Sequence, residues 1–287
     1  MHDMWYMLQN HETYAYHYTR PQSLISILET EKLRFSRFAN LNDPRESKDW
    51  ILNFSSSTVD LGLANKGLAR ELNQLLKHSW RVGCFASDPY EACVTKARED
   101  RGEDTIGAPY ERGHSRPRMW AQYADDYQGA CLVFDRAKLD AAIRRSASNQ
   151  GLFVCHDKVL YKNPSILPIL GQPHSLTMSL DDIHQAGRAT AVQDHVRQHW
   201  KELFMLKSRD WEQEREIRWL VSAVEDEDFY LSIVDCCVGI ALGDRYPPES
   251  AQAVARYGEA RGVSIAIMNW QNGFPQPGPT HWRILSK

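Results

Sequence analysis

The stretch His17-Tyr18-Thr19-Arg20-Pro21, followed by an apolar-periodic run from Ser23 to Leu33, decides how the chain begins to fold. The aromatic residues from Tyr14 to Thr19 predict a short strand, and proline is favoured in the first turn of a helix because its missing N–H group is not needed there. The strand therefore leads directly into a helix that packs on the sheet. This places the imidazole of His17 at the mouth of the sheet, where small ligands usually bind. A half-buried structural histidine in an ordinary turn is the alternative.

Length and composition indicate a globular protein. A chain of 287 residues with 43% apolar and 25% charged residues can bury a full core as a single domain over residues 1–287. Its formal net charge is −3 and its pI is near 6.4, so it lacks the strongly basic character that binds nucleic acid through charge alone. The sequence contains no internal repeat and no linker, which favours one domain over two.

The cysteine pattern predicts reduced, mostly buried thiols rather than a zinc site or a disulfide framework, because no CxxC pair is present. The cysteines are Cys84, Cys93, Cys131, Cys155, Cys236 and Cys237. The first residues contain no basic segment followed by an apolar core, and no apolar run approaches about 18 residues. The sequence therefore predicts a cytoplasmic protein with no membrane partner.

Short strands and amphipathic helices follow one another without strict alternation. Strands are predicted at 33–36, 82–86, 129–135, 152–161, 216–224, 229–234, 238–242 and 263–269. Helices are predicted at 66–80, 119–127, 138–147, 180–206 and 248–260. This order favours an α+β fold with a mixed, mostly antiparallel sheet core and flanking helices.

A polar insertion at about 88–118 has no apolar period and is predicted to be a long surface loop or lid, either functional or disordered. Its arginines are Arg98, Arg101, Arg112, Arg116 and Arg118. The helix that follows carries Trp120, Tyr123 and Tyr127 on one face. Such an aromatic stripe is typical of core packing, and a stacking platform for a ligand is the second interpretation.

Three ionisable clusters are candidates for a site: His17 with Tyr18; Asn42, Asp43 and Glu46; and the charged run 207–218. The run is the most informative because it directly precedes an apolar strand. In an extended chain, Glu214, Glu216 and Arg218 share one face. Two carboxylates and an arginine entering the core are costly unless they are paired or used in chemistry. A solvated edge with salt bridges explains the pattern as well.

The usual hydrolase and kinase signatures are absent, since the chain contains no GxSxG, GxxxxGK[ST], HExxH or GxGxxG. Cys84 and the pair Cys155-His156 contain the residue types of a nucleophile and its base. A cysteine in a buried strand is more typical of an inert core position.

Five motifs follow one another over about residues 14–221. They are His17-Tyr18-Thr19, Leu41-Asn42-Asp43-Pro44-Arg45-Glu46, Cys84-Phe85-Ala86, Met119-Trp120-Ala121-Gln122-Tyr123-Ala124 and Trp211-x-x-Glu214-x-Glu216-x-Arg218. Their order resembles the bacterial family known as domain of unknown function 2971. The chain departs from that family in the long polar insertion before Met119, and in Ala86 followed by Ser87 where the family usually has serine directly after Cys-Phe.

More distantly, the layout resembles enzymes of the ADP-ribosyltransferase fold, including DNA-modifying toxins and RNA 2′-phosphotransferases. The resemblance implies an ADP-ribosyltransferase-like sheet with NAD as a substrate, His17 as its anchor and Glu216 as the catalytic carboxylate, supported by Glu214. The other implied NAD contacts are Tyr18, Thr19, Asn42, Trp120, Tyr123 and Arg218. The residue of the fold's middle motif stays open among Ser87, Tyr123 and Tyr161.

The implied chemistry is cleavage of the nicotinamide–ribose bond, in which a fixed carboxylate stabilises the positive charge that develops on the sugar. Histidine and helix N-terminal amides would suit the pyrophosphate, Tyr18 or Trp120 would stack on the nicotinamide, and no metal is needed. The resemblance therefore implies an NAD-dependent ADP-ribosyltransferase or NAD glycohydrolase, acting as a toxin or antiphage effector on a protein or nucleic-acid target.

Two alternatives stay open. The first is a non-catalytic nucleic-acid- or protein-binding module that uses the Arg98 to Arg118 loop and the aromatic stripe. The second is a phosphate-processing enzyme acting on RNA, in which His17 and the arginines hold phosphates.

Overall fold

The computed structural model describes residues 14–88, 112–162, 174–223 and 227–275. The helices in these ranges are α1 (Pro21–Thr30), α2 (Pro44–Ser47), α3 (Lys66–His78), α4 (Pro117–Tyr123), α5 (Arg136–Asn149), α6 (Leu180–Ala186), α7 (Arg188–Phe204) and α8 (Pro248–Arg261). The strands are β1 (Tyr14–Thr19), β2 (Lys32–Arg37), β3 (Asn53–Ser55), β4 (Trp80–Ser87), β5 (Ala130–Asp135), β6 (Val154–Lys158), β7 (Leu160–Tyr161), β8 (Thr177–Ser179), β9 (Leu206–Lys207), β10 (Glu216–Ser222), β11 (Phe229–Ser232), β12 (Cys237–Leu242), β13 (Ser264–Ile267), β14 (Trp270–Gln271) and β15 (Phe274–Pro275).

One large sheet contains most of the longer strands. Its order is β11-β2-β4-β1-β5-β12-β13, and β10 joins it by pairing with β4 and with β6. The pairs in this sheet are antiparallel, except that β12 and β13 run parallel. The predicted α+β class with a mixed, mostly antiparallel sheet is confirmed.

The strand pairing along one side of β4 is interrupted by a gap. Strand β10 pairs with β4 from Trp80 to Ala86 and so occupies the other side. On the gapped side, β2 pairs only with Arg81 and Val82, and β1 pairs only with Ala86 and Ser87. Among the described residues, positions 83–85 therefore have no ladder partner there. The sheet opens between β1 and β2 at this point.

One face of the sheet is covered by α1, α5 and α8. Leu24 of α1, Ile143 of α5 and Val254 of α8 are fully buried in one apolar cluster with Phe85 and Trp219 of the sheet. Burial of such side chains is the main favourable contribution to folding. This face forms the larger part of the core.

The opposite face carries two smaller apolar clusters. In one, Leu72 of α3 and Val196 of α7 pack with Leu220 of β10. In the other, Trp120 of α4 packs with Tyr18 of β1. The two clusters meet the sheet at different ends of β4, because Val82 belongs to the first and Ala86 to the second.

Several predicted elements have different bounds in the structure. The predicted helix 180–206 is divided into α6 and α7 at Gly187. The φ of this residue is 81°, a value that glycine adopts readily, and this backbone conformation ends α6. The predicted helix 119–127 ends at Tyr123, because residues 125–127 all have positive φ. The predicted strand 152–161 is two strands, β6 and β7. Apolar periodicity does not detect such local breaks.

The predicted insertion at 88–118 is described only at its ends, since residues 89–111 lie outside the described residues. Its downstream end is not a surface loop. Arg112 is 1% exposed and lies 3.4 Å from the carboxylate of Asp88, and Arg116 donates to a backbone carbonyl at 2.7 Å. These two arginines hold the fold together rather than presenting charge to a partner.

Gly113 packs directly against β1, and its substitution is a test of this placement. A Cβ atom on Gly113 would lie 2.1 Å from the ring of Tyr16. We expect Gly113→Ala to lower the free energy of unfolding by about 1–3 kcal/mol, because the ring must move out of a packed core. Urea denaturation measures this. The control Gly67→Ala, in the first turn of α3, should change stability by less than about 1 kcal/mol, and equal losses for both would contradict the packing.

Candidate functional site

A cavity of about 230 Å³ opens where β1 and β2 separate on β4. Its lining comes from six separate parts of the chain. The lining residues are Tyr16, His17, Tyr18, Ser36, Asn40, Leu41, Asn42, Glu46, Cys84, Phe85, Ala86, Met119, Tyr123, Lys207, Glu214, Glu216 and Arg218. Aromatic rings and ionised groups thus share one small space, as they do in many ligand sites.

Arg218 is the centre of a buried ion cluster on the cavity wall. It is 0% exposed and donates through Nε to Glu216 Oε1 at 2.7 Å and through Nη2 to Glu216 Oε2 at 2.8 Å. Nη2 also donates to Oε1 of Glu46, and Nη1 donates to the carbonyl of Phe204 at 2.8 Å. Such bidentate pairing fixes the carboxylate of Glu216 in position.

Lys207 extends the cluster towards Glu214. Its Nζ lies 2.5 Å from Glu214 Oε2 and 3.3 Å from Glu216 Oε2. The hydroxyl of Tyr123 donates to Glu214 Oε1 at 2.6 Å. The cluster therefore contains three carboxylates and two cations, so the cavity wall has one carboxylate in excess.

Burial and neighbouring charges shift the pKa values of these groups in different directions. Burial alone raises the pKa of Glu216, but the charges of Arg218 and Lys207 outweigh it and lower the pKa to about 2. For Glu46, burial is the larger effect and raises the pKa, although Arg218 opposes it. Burial lowers the pKa of Lys207, but the neighbouring carboxylates outweigh it and raise the pKa overall. Glu216 is therefore ionised at neutral pH, and Glu46 holds a proton more readily.

His17 lines the same cavity but is uncharged. Its Nδ1 lies 3.1 Å from the carbonyl oxygen of Cys84, and since a carbonyl only accepts, Nδ1 carries the proton. Burial lowers the pKa of His17, with partial opposition from that hydrogen bond. Nε2 is thus the acceptor nitrogen of a neutral imidazole.

The strand register places His17 and Glu216 on opposite faces of the sheet. Tyr16 pairs with Ala86, which pairs with Glu216, so these three side chains lie on one face. His17 is the next residue along β1 and points to the other face. The gap beside β4 lets both residues line the same cavity. The motif resemblance pairs the two residues but does not predict this geometry.

Two predicted NAD contacts do not reach the cavity. Trp120 is 0% exposed, and its indole N–H donates to the carbonyl of His114 at 2.7 Å, so its ring lies in the core. Thr19 is buried and lies outside the cavity wall. Tyr18, Asn42, Tyr123 and Arg218 do line the cavity. The start of α1 is also absent from the lining, so its amides are not placed to bind a ligand there.

The three residues that are candidates for the middle motif, Ser87, Tyr123 and Tyr161, lie in different positions relative to the cavity. Tyr123 lines the cavity, whereas Tyr161 accepts a hydrogen bond from the backbone N–H of Glu216 at 2.8 Å, and Ser87 donates to the carbonyl of Arg215 at 2.7 Å. Tyr161 and Ser87 hold backbone near the site. Tyr123 is the one of the three that a ligand can touch.

Glu46 and Lys207 are cavity residues that the predicted NAD contacts did not include. Glu46 lies in the sequence Asp43-Pro44-Arg45-Glu46, where the side chain of Asp43 caps α2 by accepting from the N–H of Arg45. The capping pattern predicts that turn. It does not predict that Glu46 meets Arg218.

The cysteines are free thiols wherever they are described, and Cys93 lies outside the described residues. Cys84 lines the cavity, but burial raises its pKa well above the usual range, so the thiol stays protonated. His156 stacks on Trp219 with ring centroids 5.3 Å apart. In the described ranges, no group of three or more His, Cys, Asp or Glu side chains is arranged to hold a metal ion.

Fold and site together define an α+β protein with a small, aromatic-lined cavity that contains a buried ion cluster. Residues 119–219 match the model of a family described as "Protein of unknown function (DUF2971)", which confirms the family resemblance that the motifs predict. The matched residues include the Tyr123, Lys207, Glu214, Glu216 and Arg218 of the cavity. No curated protein and no solved structure matches the chain. None of the helices in the described ranges combines the length and the apolarity needed to cross a membrane.

Proposed function

We propose that the protein cleaves the nicotinamide–ribose bond of NAD and passes ADP-ribose to water or to a target molecule. The observation that supports this most directly is the ionised, immobilised carboxylate of Glu216 in an aromatic-lined cavity with one carboxylate more than cations. The reaction develops positive charge on the ribose, and a fixed negative group in a site of low dielectric stabilises that charge.

The size of the cavity limits which part of NAD enters it. Sites that enclose a whole drug-sized ligand are roughly 300–1,000 Å³. A cavity of about 230 Å³ suits the nicotinamide–ribose end, with the pyrophosphate and adenosine outside. Tyr18 and Tyr123 provide the aromatic surface for the nicotinamide in place of Trp120.

The neutral state of His17 changes the role proposed for it. An uncharged imidazole gives little attraction to a pyrophosphate, whereas its Nε2 can accept a hydrogen bond from a ribose hydroxyl. His17 would then position the sugar, and Glu216 would stabilise the charge that develops on it.

The cavity offers less support for the two alternative functions. A phosphate-processing site needs an excess of cations, and here carboxylates outnumber cations. A nucleic-acid-binding module would need exposed arginines. Arg112 and Arg116 are engaged inside the fold, Arg118 is exposed but donates to the carbonyl of Asp210, and Arg98 and Arg101 lie outside the described residues. Neither alternative is proposed.

The test is release of nicotinamide from NAD by the purified protein. We expect Glu216→Gln to lower the rate by about 10²–10³-fold, because the amide keeps the shape but removes the charge that stabilises the transition state. A fluorescent etheno-adenine analogue of NAD, whose emission rises on cleavage, reports the rate, and circular dichroism checks folding.

Glu212→Gln is the matched control. Glu212 lies in the same segment but is exposed and outside the cavity wall, so its variant should keep the wild-type rate. A wild-type protein that releases no nicotinamide, alone or with a cell extract as the source of targets, would contradict the proposal. So would a folded Glu216→Gln variant with full activity.

A further inference from the structure

The carboxylate oxygens of the cavity differ in how fully they are bonded. Both oxygens of Glu216 accept from Arg218, and Oε2 also lies within reach of Lys207. Glu214 accepts from Tyr123 through one oxygen and from Lys207 through the other. Among the described residues, Oε2 of Glu46 is the carboxylate oxygen of the cluster that has no hydrogen-bond partner.

Glu46 is also held rigidly on the cavity wall. Its side chain is 0% exposed, and its Oε1 is bound by Arg218. Its backbone carbonyl accepts from the buried ammonium of Lys77 at 3.0 Å, and Asp43 caps the turn that carries it. A buried oxygen without a partner costs stability. Because Glu46 lines the cavity, a ligand or a bound water that enters beside its carboxylate would supply the missing partner.

We propose that Glu46 is a catalytic residue that accepts, through Oε2, the proton of the water that attacks the ribose. This inference rests on the proposed NAD-cleaving function. It adds a second carboxylate with a role different from that of Glu216. Glu216 stabilises charge on the sugar, and Glu46 activates the nucleophile.

Hydrolysis releases one proton, and such a group can accept it as the new bond forms. The C1′–N bond to nicotinamide breaks with its electron pair moving to the ring nitrogen, which becomes neutral. A water oxygen forms the new bond to C1′, and one of its protons passes to Oε2 of Glu46. The proton later leaves to solvent, so the products are nicotinamide, ADP-ribose and one proton.

Electrostatics favour Glu46 over Glu216 for this step. A general base works best when its pKa lies nearer to the working pH, and burial raises the pKa of Glu46 while the pKa of Glu216 is about 2. The charged and titratable groups around Glu46 are Arg45 on its own helix, Lys77 on α3, Cys84 on β4, Lys207 on β9, and Glu216 and Arg218 on β10.

The experiment compares wild-type protein, Glu46→Gln and Glu216→Gln in release of nicotinamide from NAD between about pH 4 and pH 9. We expect the wild-type kcat/KM to fall towards acid pH as Glu46 takes up a proton. Glu46→Gln should lose about 10²–10⁴-fold in rate and lose that acid limb. Azide, which is already an anion at neutral pH and needs no base, should restore cleavage by Glu46→Gln but not by Glu216→Gln.

The outcomes separate this inference from the proposed function. If wild-type protein releases nicotinamide and a folded Glu46→Gln variant does so equally fast with the same pH profile, Glu46 is not the base and the proposed function stands. If azide fails to restore Glu46→Gln, the base role is also excluded. If wild-type protein releases no nicotinamide, both proposals fall. If Glu46→Gln does not fold, Glu46→Asp is used instead. Aspartate keeps a carboxylate that can take up a proton, so this variant should keep the fall in kcat/KM towards acid pH, and loss of that fall would contradict the role.

Discussion

Arg218→Met is expected to lower the free energy of unfolding by about 3–5 kcal/mol, the largest loss that we anticipate from a single polar residue. The guanidinium binds both oxygens of Glu216 and one oxygen of Glu46, and all three side chains are nearly or fully buried. Methionine fills much of the volume but leaves the carboxylates of Glu216 and Glu46 without their guanidinium partner. Urea denaturation followed by circular dichroism measures the change.

Arg197→Met is the matched control for Arg218→Met. Arg197 pairs with Asp194 at 2.9 Å, but both side chains are more than half exposed, so its loss should cost less than about 1 kcal/mol. Adding Glu46→Gln and Glu216→Gln to the Arg218→Met background should recover part of the stability, because fewer uncompensated charges stay buried. Equal denaturation midpoints for Arg218→Met and wild-type protein would contradict the ion cluster.

Trp120→Ala is expected to destabilise the protein by about 3–5 kcal/mol, as large-to-small changes of buried aromatic residues do. Its ring contacts Tyr18 edge-on at 5.3 Å, stacks over Tyr127 at 6.5 Å, and its N–H donates to His114. The variant removes all three contacts and leaves a void beside β1. Thermal and urea denaturation measure the loss.

This outcome distinguishes a core residue from a ligand-stacking platform. A tryptophan that served only to stack on nicotinamide would leave stability nearly unchanged and raise the KM for NAD. Tyr230→Ala is the control, because Tyr230 is 48% exposed on an edge strand and should cost little. A Trp120→Ala variant as stable as Tyr230→Ala would reverse the assignment.

Much of the fold follows from local pattern. The strand Tyr14–Thr19 was predictable from its aromatic residues, and the helix Lys66–His78 from apolar residues that repeat with the helical period. The break at Gly187 was not, since the residues on both sides keep a helical pattern and only the backbone conformation of one glycine separates α6 from α7.

The charged run 207–218 brings three of the predicted site residues to the cavity, although the chain is not extended throughout the run. The sequence predicts a strand from residue 216 and, for an extended chain, places Glu214 on the same face as Glu216 and Arg218. In the structure the strand begins at Glu216, and a left-handed Arg215 separates it from a 3₁₀ turn that carries Glu214. All three still line the cavity.

The α+β class, the strand that carries His17 and the charged run that contains Glu216 are all predictable without coordinates, because they depend on periodicity and composition within short windows. The sequence names Glu46 among its ionisable candidates, but long-range packing places it on the cavity wall beside Arg218 and leaves Trp120 outside the cavity. Glu46 meets Arg218 across 172 positions of the chain, and Trp120 turns its ring into the core. Both placements depend on contacts between distant segments of the chain, which leave no pattern in either segment alone.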